Sequence, residues 1–194
     1  MFDQLNRIFS SDDSTIPDQI ILVNAGEGPL NQIIAQHLQD RQLSVVTTYS
    51  ISDLRASYNS LVTKIQKFCN CNSRAPSPIR VALLGSDAFI NSVLRIYVET
   101  FSNKSTEWQN YLRFYIIPFN ITYSTISKYI GSIDSTYSSN FCSGSWKDLF
   151  DDYNASSSTH DIIHRILNYM NGANGVIQLP IAEAMLTYKE NNQD

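Results

Sequence analysis

Residues 20–30 read IILVNAGEGPL, and the fold turns on what this stretch is. IILVN (20–24) is an unbroken apolar run rich in β-branched side chains, the texture of a strand covered on both faces. AGEGP follows. Gly28 stands where a helix N-cap falls, and Pro29 at the first helical position, where a missing N–H costs nothing. Leu30, Ile33, Ile34 and Leu38 then recur at helical spacing. A strand that passes through a tight turn straight into a helix is the first half of a βαβ unit.

The unit repeats downstream. SVVTTY (44–49) reads as a second strand, and SISD (50–53) has the Ser-x-x-Asp form of a capping box. The helix it opens carries Leu54, Tyr58, Leu61, Val62, Ile65 and Phe68 as one apolar stripe. RAPSP (74–78) is a linker, because two prolines forbid helix. RVALLG (80–85) is a third strand. Ser86 and Asp87 start a third helix with Phe89, Ile90, Val93, Leu94, Tyr97 and Phe101 inward. A short helix around Trp108 leads to a fourth strand, RFYIIPF (113–119). Such alternation predicts an α/β fold: an open, doubly wound, mostly parallel sheet of four to five strands with helices on both faces.

The core of that fold is placed at 18–119, within a single domain over 18–190. Residues 1–17 read as a flexible N-terminal arm with one short helix at FDQLNRIF. The stretch 121–145 is crowded with Ser, Thr and Tyr and reads as a surface excursion with one turn of helix. A helical C-terminal part, 146–190, contains the amphipathic HDIIHRILNYM (160–170). Past the breaker NGANG, VIQ (176–178) is the candidate fifth strand. Pro180 opens a last helix with Ile181, Ala184, Met185 and Tyr188 inward.

Bulk numbers narrow the function. Of 194 residues, 43% are hydrophobic and 16% charged, enough apolar content to fill a core. Net charge is −4 and no two of the fourteen basic residues are adjacent, so the chain is not built to bind nucleic acid. The N-terminus MFDQLNRIF lacks the apolar block of a secretory signal, and no run approaches a membrane span. The chain therefore reads as cytoplasmic, without membrane insertion and with reduced thiols.

The chemistry-bearing motifs are sparse. Cys69 and Cys71 in KFCNCNS (67–73) sit at a helix C-terminus. A redox thiol favours a helix start, and zinc needs four ligands, so this pair reads as packing and turning the chain. His160 and His164 have zinc-capable spacing, but HDIIH lacks the acid that follows the first His in a metalloprotease helix, and both read as solvent-facing. Asp151 and Asp152 are neighbours in a loose segment. Gly85-Ser86-Asp87 is not a nucleophile elbow. Gly26-x-Gly28 lies at the carboxyl end of a strand, where open α/β sheets bind ligands, yet it lacks the third glycine of a dinucleotide fingerprint, and Glu27 brings negative charge to the phosphate position. No enzyme, metal or cofactor signature survives. The alternative reading is a nucleotide- or phosphometabolite-binding domain, enzymatic or vestigial, using Gly26, Gly28 and Ser86. SSDDST (10–15) offers an acid-directed phosphorylation pattern at Ser10, and 122–145 offers further hydroxyls.

Several longer strings occur in order: DQIILVN, KIQKFCNCNS, YLRFYIIPF, SKYIGSIDSTYSSNF, WKDLF, NYMNGA and QLPIAEAMLTY. From about Asp18 to Tyr188 they closely resemble the C-terminal region of the phosphofurin acidic cluster sorting (PACS) family. The resemblance implies a cytosolic sorting adaptor and not a catalyst. Its members connect acidic-cluster motifs of membrane cargo to coat adaptors at the trans-Golgi network and endosomes, with further roles at endoplasmic reticulum–mitochondrion contacts and in the nucleus. In the family, cargo and adaptor binding belong to an N-terminal region, so the chain is expected to be a fragment without it. The partners implied are proteins, reached through the full-length protein. No family motif here carries assigned contact residues, and none is transferred.

Overall fold

The computed structural model describes residues 2–9, 11–119, 124–151 and 156–179. Its centre is a four-stranded sheet, all parallel, in the order β2-β1-β3-β4. The strands are β1 (Gln19–Asn24), β2 (Val45–Thr48), β3 (Ile79–Gly85) and β4 (Leu112–Pro118). Ile21 and Val23 of β1 and Leu83 and Leu84 of β3 are fully buried, which is why these runs are apolar without alternation. Each such side chain contributes about 1.5–3 kcal/mol relative to exposure.

Helix α1 (Phe2–Ile8) precedes the sheet. Helices α2 (Pro29–Asp40), α3 (Ile51–Cys71) and α4 (Asp87–Phe101) make the crossovers. Ser50 and Asp53 form the capping box that starts α3. Strand alternation sorts the two faces. Ile20, Leu22, Val46 and Val81 meet Tyr58 and Leu61 of α3, and α3 packs beside α4. Arg80 and Tyr115 point the other way, toward α8 (Ser156–Gly172): an Arg80 guanidinium N–H donates to the Met170 carbonyl at 3.4 Å, and the Tyr115 and Tyr169 rings lie 6.0 Å apart. α8 packs against α2, so the sheet is covered on both sides.

Three expectations change. The stretch 121–145 was expected to be a surface excursion. From Ser124 onward it instead forms α5 (Thr125–Ile133) and α6 (Ser135–Phe141), followed by α7 (Gly144–Asp151). Tyr137, Phe141 and Trp146 are buried, the Trp146 indole N–H donates to the Pro118 carbonyl at 2.9 Å, and the rings pack edge to face with Tyr169 and Phe150. The hydroxyls are absorbed as caps: Ser124 accepts from the Ser127 N–H. VIQ (176–178) is not a strand. A right-handed crossover from β4 to an outer neighbour needs its helix on the α3–α4 face, and α8 lies on the α2 face. Third, the arm expected to be flexible is docked along the sheet. The short helix within it is present as α1, with Leu5 in the core, and the Gln4 side-chain amide exchanges bonds with Thr47 on the edge strand. The helix read from Pro180 lies outside the described residues, as do Ser10 and Asp152.

Candidate functional site

The strand order places a topological switch point between β1 and β3, whose crossovers leave in opposite directions. In open α/β sheets this is where ligands bind. Gly26, Gly28 and Ser86 all come to it. β1 ends at Asn24, whose side-chain oxygen accepts from the Gly26 N–H at 3.1 Å and starts a 3-10 turn, Ala25–Glu27. Gly28 then holds φ 152°, a region L side chains rarely adopt, and Pro29 begins α2. The Asn31 amide donates to the Asn24 carbonyl at 2.8 Å and the Gln32 amide to the Ala25 carbonyl at 3.1 Å. The turn is thus tied down by the helix that follows it.

Across the crevice, β3 ends at Gly85 and Ser86 caps α4, its hydroxyl oxygen accepting from the Phe89 N–H at 3.3 Å. The seat that a phosphate takes at such a helix start is filled by Glu27. Its carboxylate accepts the Ser86 backbone N–H at 2.9 Å and a short bond from the Ser86 hydroxyl. Gly85 makes the approach possible: a Cβ there would lie 2.6 Å from Phe89 Cδ1 and 3.2 Å from Glu27 Oε2. Asp87 adds a second carboxylate, one oxygen of which is buried with no hydrogen-bond partner among the described residues. Two acids and a filled helix terminus suit a closed turn and oppose an anionic ligand. The sequence already carried this signal in Glu27.

The other candidates stay apart. His160 and His164 are exposed on α8, ring centroids 6.4 Å apart. Cys71 is exposed and Cys69 half-buried at the end of α3. The Cys142 thiol faces the Ser127 carbonyl at 3.6 Å, and burial pushes its pKa up, away from a reactive thiolate. Among the described residues no three His, Cys, Asp or Glu side chains converge as a metal site, and no helix is long and apolar enough to cross a membrane.

Two features were not legible beforehand. One is a buried hydroxyl chain: Tyr137 donates to Ser127 Oγ at 3.0 Å, which is 2.7 Å from Ser124 Oγ. The other is an exposed apolar rim at the carboxyl end of the sheet, where Tyr49 is 64% and Ile51 58% exposed beside the Gly26 turn. On α5, Tyr129 and Ile133 are also exposed.

A family model described as "PACS-1 cytosolic sorting protein" matches residues 1–194. The chain belongs to this family. It is 43% identical over 197 residues to phosphofurin acidic cluster sorting protein 2 of Mus musculus, a match that covers all of this chain and 22% of that protein. It is 41% identical over 195 residues to phosphofurin acidic cluster sorting protein 1 of Homo sapiens, covering all of this chain and 20% of that protein. The chain thus spans about a fifth of the length of the curated relatives it matches. No solved structure matches it.

Proposed function

We propose that this chain is a non-catalytic interaction module of a cytosolic membrane-traffic sorting adaptor. The whole protein acts in acidic-cluster cargo sorting at the trans-Golgi network and endosomes. The observation that carries the reading is the self-filled switch point: the position where α/β enzymes hold a cofactor is closed by Glu27 on Ser86, while the adjoining rim presents Tyr49 and Ile51 to solvent. An apolar aromatic rim beside a sealed crevice suits a protein partner better than a metabolite. The names of the relatives, sorting proteins throughout, support the same class.

The test is direct binding. The chain is immobilised and offered a cytosolic extract, and each protein it retains is identified by mass spectrometry, purified and titrated against it. Saturable binding is expected, weakened about tenfold or more by Tyr49→Ser combined with Ile51→Asp. Absence of binding by the unaltered chain, or hydrolysis of a nucleotide by it, would overturn the reading.

A further inference from the structure

The docked arm carries an inference that goes beyond the module's partners. Leu5 is buried, and Phe9 closes an apolar groove with Ile20, Leu22, Val46, Tyr58 and Leu61. Downstream, residues 11–15 lie on α3 as a polar strap. Lys64, only 4% exposed, donates to the Asp12 carbonyl at 2.5 Å. Lys67 pairs with Asp13 at 3.3 Å, and the Asn72 amide reaches the Ser14 carbonyl at 3.4 Å. The strap holds its shape through one turn. The Asp12 carboxylate accepts both the Ser14 N–H, at 2.9 Å, and the Ser14 hydroxyl, at 2.6 Å. Those two bonds hold the Asp12 carboxyl below its usual range.

We propose that Ser14 is a phosphorylation site whose modification opens this turn, frees residues 11–15 from α3 and releases Phe9 from the groove. Ser14 is exposed and outside any helix, with Asp12 and Asp13 immediately before it. A protein serine kinase transfers the γ-phosphoryl group of ATP to Ser14 Oγ; the hydroxyl proton departs and ADP leaves. The donor hydroxyl is thereby replaced by a phosphate carrying nearly two negative charges against the carboxylate it formerly bonded. Lys67 is already paired with Asp13, and Lys64 engages the Asp12 carbonyl, which moves with the turn. The groove is closed by the chain's own Phe9, with Leu5 buried in the same core, so the modification exposes an apolar surface that the unmodified chain keeps covered.

Two measurements test this. First, the full chain is treated with ATP and, in parallel, serine kinases that read acids before the serine and serine kinases that read acids after it, and the tryptic peptide 8–41 is mapped by mass spectrometry. Phosphate on Ser14 supports the assignment; phosphate only on Ser10, Ser11 or Thr15 overturns it. Second, phosphoserine is installed at position 14 by genetic-code expansion and hydrogen exchange is compared with the unmodified chain. Exchange in residues 2–9 is expected to rise about tenfold or more, with α8 unchanged, as for local opening. Asp12→Asn, which removes the opposing charge and keeps an acceptor, is expected to blunt that rise. Unchanged or slower exchange in the arm, or equal acceleration in α8, overturns the proposal.

Discussion

Glu27 on the β1 side and Ser86 on the β3 side are joined by two hydrogen bonds across the switch point, so the protein supplies its own anion to the start of α4. The bond links two loops that meet only in the folded chain. Its geometry fits a carboxylate on a helix N-terminus, where the dipole favours negative charge.

Glu27→Ala is therefore expected to lower stability by about 1 kcal/mol, the low end because Glu27 is solvent-exposed. Urea unfolding measures it, and rising salt should narrow the gap between variant and parent. In the same instrument, millimolar nucleotides should leave the parent's melting temperature unchanged, since a ligand at about 100 times its dissociation constant would add about 2.7 kcal/mol.

Gly85→Ala tests the same contact from the other side. The new methyl would lie 2.6 Å from a ring carbon of Phe89, a side chain only 4% exposed and unable to step aside. A loss of about 1–3 kcal/mol is expected. Pairing the change with Phe89→Leu should recover part of it, and a double-mutant cycle would report the coupling.

The α/β core was readable because local rules agreed there. β-branched runs, the Gly28–Pro29 helix start and the Ser50–Asp53 capping box each name the same element from a few neighbouring residues. Most helical stripes held, although Ile33 of α2 faces solvent. The remainder depended on contacts distant in sequence. Lys64 looks like a surface residue until the Asp12 carbonyl, 52 residues earlier, arrives over it. Ser124, Ser127 and Tyr137 look like surface hydroxyls because composition cannot show that they satisfy one another in the interior. The Glu27 contact had a local clue, its charge, and needed the strand order to acquire a partner.

The buried hydroxyl chain gives an asymmetric pair of variants. Tyr137→Phe removes a donor and leaves Ser127 Oγ bonded to Ser124, so about 0.5–1.5 kcal/mol is expected. Ser127→Ala leaves the Tyr137 hydroxyl buried without its acceptor and should cost about 1–3 kcal/mol, despite deleting the smaller group. Chemical denaturation should rank them in that order; the reverse order would mean that solvent reaches Tyr137.

Alkaline pH should destabilise the domain through its tyrosines. Burial raises the pKa of Tyr137 and of Tyr58, whose hydroxyl has no hydrogen-bond partner among the described residues, and pushes Tyr169 up to about 12. An unfolded tyrosine titrates near about 10. Below that pH both states keep the proton and these groups contribute no slope. Above it the unfolded chain gives up protons that the folded chain retains, so stability falls as pH rises. Each fully buried tyrosine adds up to about 1.4 kcal/mol per pH unit, with Tyr169 contributing less because it is partly open to solvent. Urea midpoints measured from pH 9 to 11 should drop beyond about pH 10. Tyr58→Phe combined with Tyr137→Phe should flatten that drop, and an unchanged slope would show that these hydroxyls ionise in the folded protein as readily as in the unfolded one.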